Sequence, residues 1–146
     1  MEKLNGKKIK ISVFISGRGT NLKSLISYSK QKKNKIEIIL VISNKRDAEG
    51  LNFAKKNKIK FIIINYKNKK NAETRILKIL KQNNIELICL AGFMKILSNR
   101  FIKKYKNKIL NIHPSLLPKY KGLNTHKRVI ENKESFTGCT VHLVSS

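Results

Sequence analysis

Short apolar, β-branched runs separated by helix-patterned stretches constrain this chain's fold more than any other feature. The runs fall at residues 9–16, 36–43, 60–65, 87–90 and 109–112. Between them, residues 21–32, 48–57 and 71–82 are expected to be helices, with Asp47 placed to cap the second; a shorter helix is expected at 98–105. Strands that are apolar throughout, rather than alternating, belong to a parallel sheet covered on both faces. Right-handed crossovers then give an α/β fold, a Rossmann-like, doubly wound, mostly parallel sheet. The 146 residues suffice for one such domain and not for two.

Charge is the next constraint. Lysine and arginine number 33 against 8 acidic residues, for a formal charge of +25. A nucleic-acid-binding protein has this balance. Here, however, the lysines are spread over nearly every helix and loop, mixed with Asn and Ile and with little aromatic interleaving. That pattern is a whole-chain bias, so polyanion attraction is expected as a side effect, with no specific nucleic-acid partner. No apolar stretch is long enough for a membrane span, and no membrane partner is expected. Residues 1–8 are basic and run into a strand rather than into the apolar core of a signal peptide. Cys89 and Cys139 lie far apart without metal-type spacing, so no metal is expected, and Cys89 reads as core. A reduced, cytoplasmic protein fits these features.

Two segments carry chemistry. Asn111 and His113 stand two residues apart at the end of an apolar strand, so their side chains share a face if the strand persists through His113. Pro114 and Pro118 stiffen the segment leaving the strand. A carboxamide that donates to a developing oxyanion, beside an imidazole that moves a proton, suits acyl transfer through a tetrahedral intermediate. The competing reading is that Asn-x-His merely caps backbone groups at a strand end. The second segment, Ile15-Ser16-Gly17-Arg18-Gly19-Thr20-Asn21-Leu22, joins the first strand to the first helix. Its glycines allow a tight turn and close approach of an anion to the helix N-terminus. Leu22 stands where a dinucleotide fingerprint needs a third glycine, so a phosphate monoester fits better than a pyrophosphate.

From about Ile9 to the last residue the chain resembles the folate-dependent phosphoribosylglycinamide formyltransferases. The likeness rests on the phosphate loop, on Leu90-Ala91-Gly92-Phe93-Met94-Lys95-Ile96-Leu97, and on the run from Asn111 to Leu123. The resemblance implies a single formyltransferase domain over residues 1–146. Its phosphate-binding half would cover about 1–100, and its folate and catalytic half would begin at about 101. It implies formyl transfer from 10-formyltetrahydrofolate, as co-substrate, to the glycinamide amine in purine synthesis. The partners would be small-molecule substrates, and the protein a monomer or homodimer. By resemblance Gly19, Thr20 and Asn21 hold the substrate phosphate, and His113 and Asn111 are catalytic. Lys69, Met94, Lys95, Ile96, Leu97 and Asn111 would meet the folate. Lys95 stands where the family carries arginine, which removes a bidentate donor, and Lys69 replaces a second arginine.

The family's Val-His-x-Val strand is followed by an Asp-Gly-Gly segment whose aspartate partners the histidine; this sequence ends first, at Ser145-Ser146. It therefore reads as a C-terminally incomplete copy, expected to be nearly inactive alone unless Glu131 or Glu134 supplies the carboxylate, and prone to aggregate through exposed apolar sheet surface. His142, alternating with Val141 and Leu143, reads as structural, and His126 near a helix start is left open. A methionyl-tRNA formyltransferase shares Asn-x-His and Ser-Leu-Leu-Pro but lacks the phosphate loop. A noncatalytic polyanion-binding module is the rival from another class.

Overall fold

The computed structural model describes residues 6–146; the first five residues of the basic lead at 1–8 lie outside the described residues. Its order is β1 (Ile9–Ile15), α1 (Thr20–Ser29), β2 (Ile36–Ser43), α2 (Leu51–Lys56), β3 (Lys60–Ile63), α3 (Lys69–Gln82), β4 (Leu87–Leu90), α4 (Asn99–Lys104), β5 (Lys108–His113), α5 (Thr125–Glu131) and β6 (Thr140–Leu143). The six strands run β3-β2-β1-β4-β5-β6 across one sheet. All neighbours are parallel except β5 and β6, which are antiparallel. The expected doubly wound α/β architecture is therefore present.

Each face of the sheet carries its own core. Ile11, Val13, Ile15, Ile38 and Val41 pack with Leu22 and Ile26 of α1 and Leu51 and Ala54 of α2. On the other face Phe14, Leu40, Ile42, Ile88 and Ile109 pack with Ile76 and Leu80 of α3 and Phe101 of α4. Burying a large aliphatic or aromatic side chain contributes about 1.5–3 kcal/mol, so these two sandwiches dominate the favourable side of folding. The β1–β2 register shifts between Ile11 and Ser12, which pair with Ile38 and Leu40. That bulge puts Ile38 and Val41, three residues apart, on one face despite the two-residue period of a strand.

Helix boundaries depart from expectation at three places. The second helix starts at Leu51, not Ala48, and its N-cap is Gly50, so Asp47 caps nothing. Ala48 is instead buried against the sheet. The first helix stops at Ser29, where Lys30 is the C-cap, rather than running to Lys32. The third begins two residues early at Lys69, because the Asn68 side chain accepts from the Asn71 amide at 3.0 Å and closes the N-terminus there.

Register lines the strand ends up for function. Phe14 pairs with Ile42 and with Leu90, Leu90 with Asn111, and Asn111 with His142. The turn after β1 and the turn after β4 leave the sheet side by side, where the winding direction reverses. In open α/β sheets this crevice at the strand carboxyl ends is where ligands bind.

Candidate active site

The turn after β1 is shaped for an anion. Gly19 has φ +74° and ψ 27°, a left-handed conformation, and serves as N-cap of α1. No side chain caps this ten-residue helix and no acidic residue stands in its first turn. Its leading amides therefore lack side-chain partners, and the helix dipole favours negative charge there. Gly19, Thr20 and Asn21 line a cavity of about 270 Å³ with Arg18, Lys45 and Met94.

The strand β5 persists through His113, so Asn111 and His113 do share a face. Both border a cavity of about 730 Å³ that also touches Asn21 and His126. Both border a second, of about 660 Å³, lined by Lys69, Met94, Lys95, Ile96, Leu97 and His142. Asn21 and Met94 each belong to both the first of these and the phosphate-loop cavity. One crevice thus runs from the glycine turn, past Asn111 and His113, to the segment after β4.

Hydrogen bonds orient the pair. His113 Nε2 lies 2.9 Å from the Tyr120 carbonyl. A carbonyl only accepts, so Nε2 is assigned the proton, and in the neutral ring Nδ1 keeps a lone pair. Asn111 Nδ2 lies 3.2 Å from His142 Nε2, and His142 Nδ1 lies 3.1 Å from the Leu143 carbonyl. By the same logic His142 Nδ1 donates to Leu143, and its Nε2 accepts from the Asn111 amide. One N–H of that amide then remains for another acceptor.

The third stretch of the crevice is apolar with a basic rim. Phe93 stacks edge-on against Phe14 at 5.3 Å and Tyr66 at 5.7 Å. Met94 and Ile96 stand out from the surface at 61% and 85% exposure, whereas Leu97 packs into the core while lining the cavity. Lys69 at the start of α3 and Lys95 supply positive charge. The Tyr66 hydroxyl is buried without a partner; burial first, and Glu73 second, push its ionisation far above the usual range.

A family model described as formyl transferase matches residues 9–146. The chain belongs to the formyl transferase family. It is 47% identical over 146 residues to the trifunctional purine biosynthetic protein adenosine-3 of Gallus gallus, covering 98% of this chain and 15% of that protein. It is 46% identical over 139 residues to the phosphoribosylglycinamide formyltransferase of Haemophilus influenzae, covering 93% of this chain and 66% of that one. Among solved structures, that of the phosphoribosylglycinamide formyltransferase from Coxiella burnetii, in complex with CHES, has a TM-score of 0.87 at 42% identity. That match covers 96% of this chain and 67% of the Coxiella chain.

Within this formyl transferase fold the structure adds residues that sequence reasoning passed over. Lys45, just beyond β2, lines the phosphate-loop cavity; its place at a strand's carboxyl end was the available signal. Ser16 is nearly buried, and its hydroxyl accepts the Met94 amide at 2.7 Å while donating to Asn44 Oδ1 at 2.5 Å. Its own amide donates to the Gly92 carbonyl at 3.1 Å. One side chain therefore staples the glycine turn to the segment after β4. The far end of that segment is held by Glu73, 1% exposed, whose carboxylate accepts the Ser98 amide at 2.8 Å and also the Ser98 hydroxyl. Replacing Ser16 by alanine should deprive the Met94 amide of its part-buried partner, lowering unfolding free energy by about 1 kcal/mol. Urea melts read this, and a wild-type midpoint would show that the staple contributes nothing.

The two carboxylates weighed as stand-ins for a missing aspartate differ in placement. Glu131 pairs with Lys127 at 3.7 Å on the surface of α5. Glu134 hydrogen-bonds the Tyr120 hydroxyl rather than His113. The Cys89 thiol is pushed up to about 11 by burial, and Cys139 is exposed at the rim of the central cavity. Among the described residues no helix is long and apolar enough to cross a membrane.

Proposed function

We propose that the protein carrying this domain transfers a formyl group from 10-formyltetrahydrofolate to the amine of phosphoribosylglycinamide, in the cytoplasm, as a step of purine synthesis. One observation carries the reading: Asn111 and His113 stand on one face at the junction of two cavities, one leading to the uncapped α1 and one to an apolar pocket with a lysine rim. The relatives named as phosphoribosylglycinamide formyltransferases support the choice of substrates.

The parts divide the work by chemistry. Gly19, Thr20 and Asn21, with Lys45 beside them, take the phosphate of the ribonucleotide. The cavity of about 660 Å³ has the size and the apolar lining suited to a flat heteroaromatic donor, and Lys69 and Lys95 face the donor's anionic tail. Between them the glycinamide amine attacks the formyl carbon. Asn111 donates its free N–H to the formyl oxygen as negative charge builds there. His113 takes the amine proton at Nδ1, the nitrogen left unprotonated by the Tyr120 carbonyl, and the proton passes to the donor's N10 as the bond from the formyl carbon to N10 breaks. His142 keeps the Asn111 amide turned the right way.

Calorimetry on the chain tests the phosphate half. Phosphoribosylglycinamide should bind with one-to-one stoichiometry and be displaced by inorganic phosphate at higher concentration. A chain that ignored the ribonucleotide but bound RNA of any sequence, with an affinity falling steeply in salt, would establish the polyanion-binding reading instead.

A further inference from the structure

The contact that sets the protonated nitrogen of His113 comes from a strained residue. Tyr120 has φ +54°, a left-handed backbone rare outside glycine. Such a conformation persists only where its surroundings hold it. Three contacts hold Tyr120. Its hydroxyl donates to Glu134 Oε1 at 2.7 Å. The Arg128 guanidinium sits 5.3 Å from its ring centroid. Its carbonyl accepts from His113 Nε2 at 2.9 Å. Glu134 is itself fixed by Lys119, whose Nζ lies 3.1 and 3.3 Å from the two carboxylate oxygens. Arg128 donates to the Lys121 carbonyl at 2.6 Å, clamping the next residue too.

We infer that Glu134 is a positioning residue for His113, acting through Tyr120 to hold the carbonyl that keeps the imidazole proton on Nε2. The inference rests on the reading of His113 as the proton acceptor of formyl transfer. The causal order is short. Glu134 pins the hydroxyl, the pinned ring keeps Tyr120 left-handed, and that backbone aims its carbonyl at the imidazole. If the hydroxyl is released, Tyr120 relaxes toward negative φ and its carbonyl turns away. Nothing then favours Nε2–H over Nδ1–H beyond the ring's own preference, and a proton on Nδ1 removes the lone pair that accepts. The hydroxyl hydrogen bond and then Lys119 hold the Glu134 carboxyl below its usual range, so it is the ionised form that grips Tyr120. A carboxylate can thus govern this histidine without touching it.

Side-chain nitrogen NMR of the histidines, on the full chain labelled with ¹⁵N and near neutral pH, reads the tautomer directly and needs no substrate. The unmodified chain should show His113 dominantly protonated on Nε2. Glu134→Ala and Tyr120→Phe should each move the tautomer ratio toward Nδ1–H by roughly fivefold, the equilibrium weight of one typical hydrogen bond. Glu134→Gln, which keeps an oxygen able to accept from the Tyr120 hydroxyl, should restore most of the original ratio. Tyr120→Phe preserves the ring under Arg128, so it reports even if Glu134→Ala misfolds. An unchanged His113 tautomer in Tyr120→Phe, or a Glu134→Gln chain that behaves as Glu134→Ala, overturns the inference. If the tautomer shifts as expected but formyl transfer by the protein carrying the domain is unaffected, the positioning stands and the role assigned to His113 falls.

Discussion

Replacing Asn111 by alanine in the protein that carries this domain should lower formyl transfer by about 10²–10³-fold, the usual loss when one oxyanion donor is removed from a preorganised site. His113→Ala should fall by a similar or larger factor. Both losses should appear in kcat, with affinity for the phosphoribosyl substrate nearly unchanged, because Gly19 and Thr20 border a cavity that neither residue touches. His142 provides the internal control. Its ring accepts from Asn111 at 3.2 Å, so His142→Phe should free the amide to turn without deleting it. The expected result is a smaller kcat loss than Asn111→Ala, and little further loss when the two changes are combined. Losses that multiplied in the double variant would mean that His142 acts independently of Asn111. Near-full turnover in either single alanine variant would remove that residue from the chemistry.

The sheet was legible because burial on both faces leaves a direct trace in sequence. Residues 36–43 are apolar or β-branched at almost every position since the strand has helices above and below it. Helix ends were less legible. Asp47 is a good capping residue, yet the chain turns once more before α2, because Ala48 is drawn into the core and Gly50 packs against Gly19. That requirement is tertiary, and no local propensity records it.

The site divides the same way. Asn111 and His113 could be paired from the sequence because a two-residue spacing on a strand fixes their relation. His142 could not be given its partner without the antiparallel register that sets it opposite Asn111, 31 residues earlier. Ser16 looked like part of a glycine turn, and only the adjacency of β1 and β4 brings its hydroxyl to the Met94 amide, 78 residues away. Glu134 lies in no motif, and Tyr120, though inside the run from Asn111 to Leu123, carries no sequence mark of its contact with His113. Their contribution depends on a backbone conformation that Tyr120 adopts only in the folded chain.

Gly19→Ala should cause the largest loss of phosphate binding. Two penalties coincide at this position. The residue sits at φ +74°, which disfavours any side chain by about 1–2 kcal/mol. An added Cβ would also lie 2.5 Å from Gly50 Cα and 3.4 Å from the Gly50 amide nitrogen, both backbone atoms. Gly50 cannot simply retreat, because its amide is bonded to the Gly17 carbonyl at 2.9 Å and its own Cβ position faces Ile15 Cδ1 at 2.7 Å. The turn must therefore part from α2, and the leading amides of α1 lose their shared aim. Gly17 differs: a Cβ there meets nothing within 4 Å, so Gly17→Ala should fold with near-normal thermal stability. Calorimetric titration with inorganic phosphate and with phosphoribosylglycinamide should show binding weakened at least tenfold in Gly19→Ala, with the melting temperature also reduced. Thr20→Ala separates the two effects, since Thr20 is exposed and its loss leaves the turn's backbone in place. It should weaken phosphate binding without lowering the melting temperature. If Gly19→Ala binds phosphate as tightly as the unmodified chain, the anion site is not at the head of α1, and Arg18 and Lys45 would no longer mark where the ribonucleotide enters.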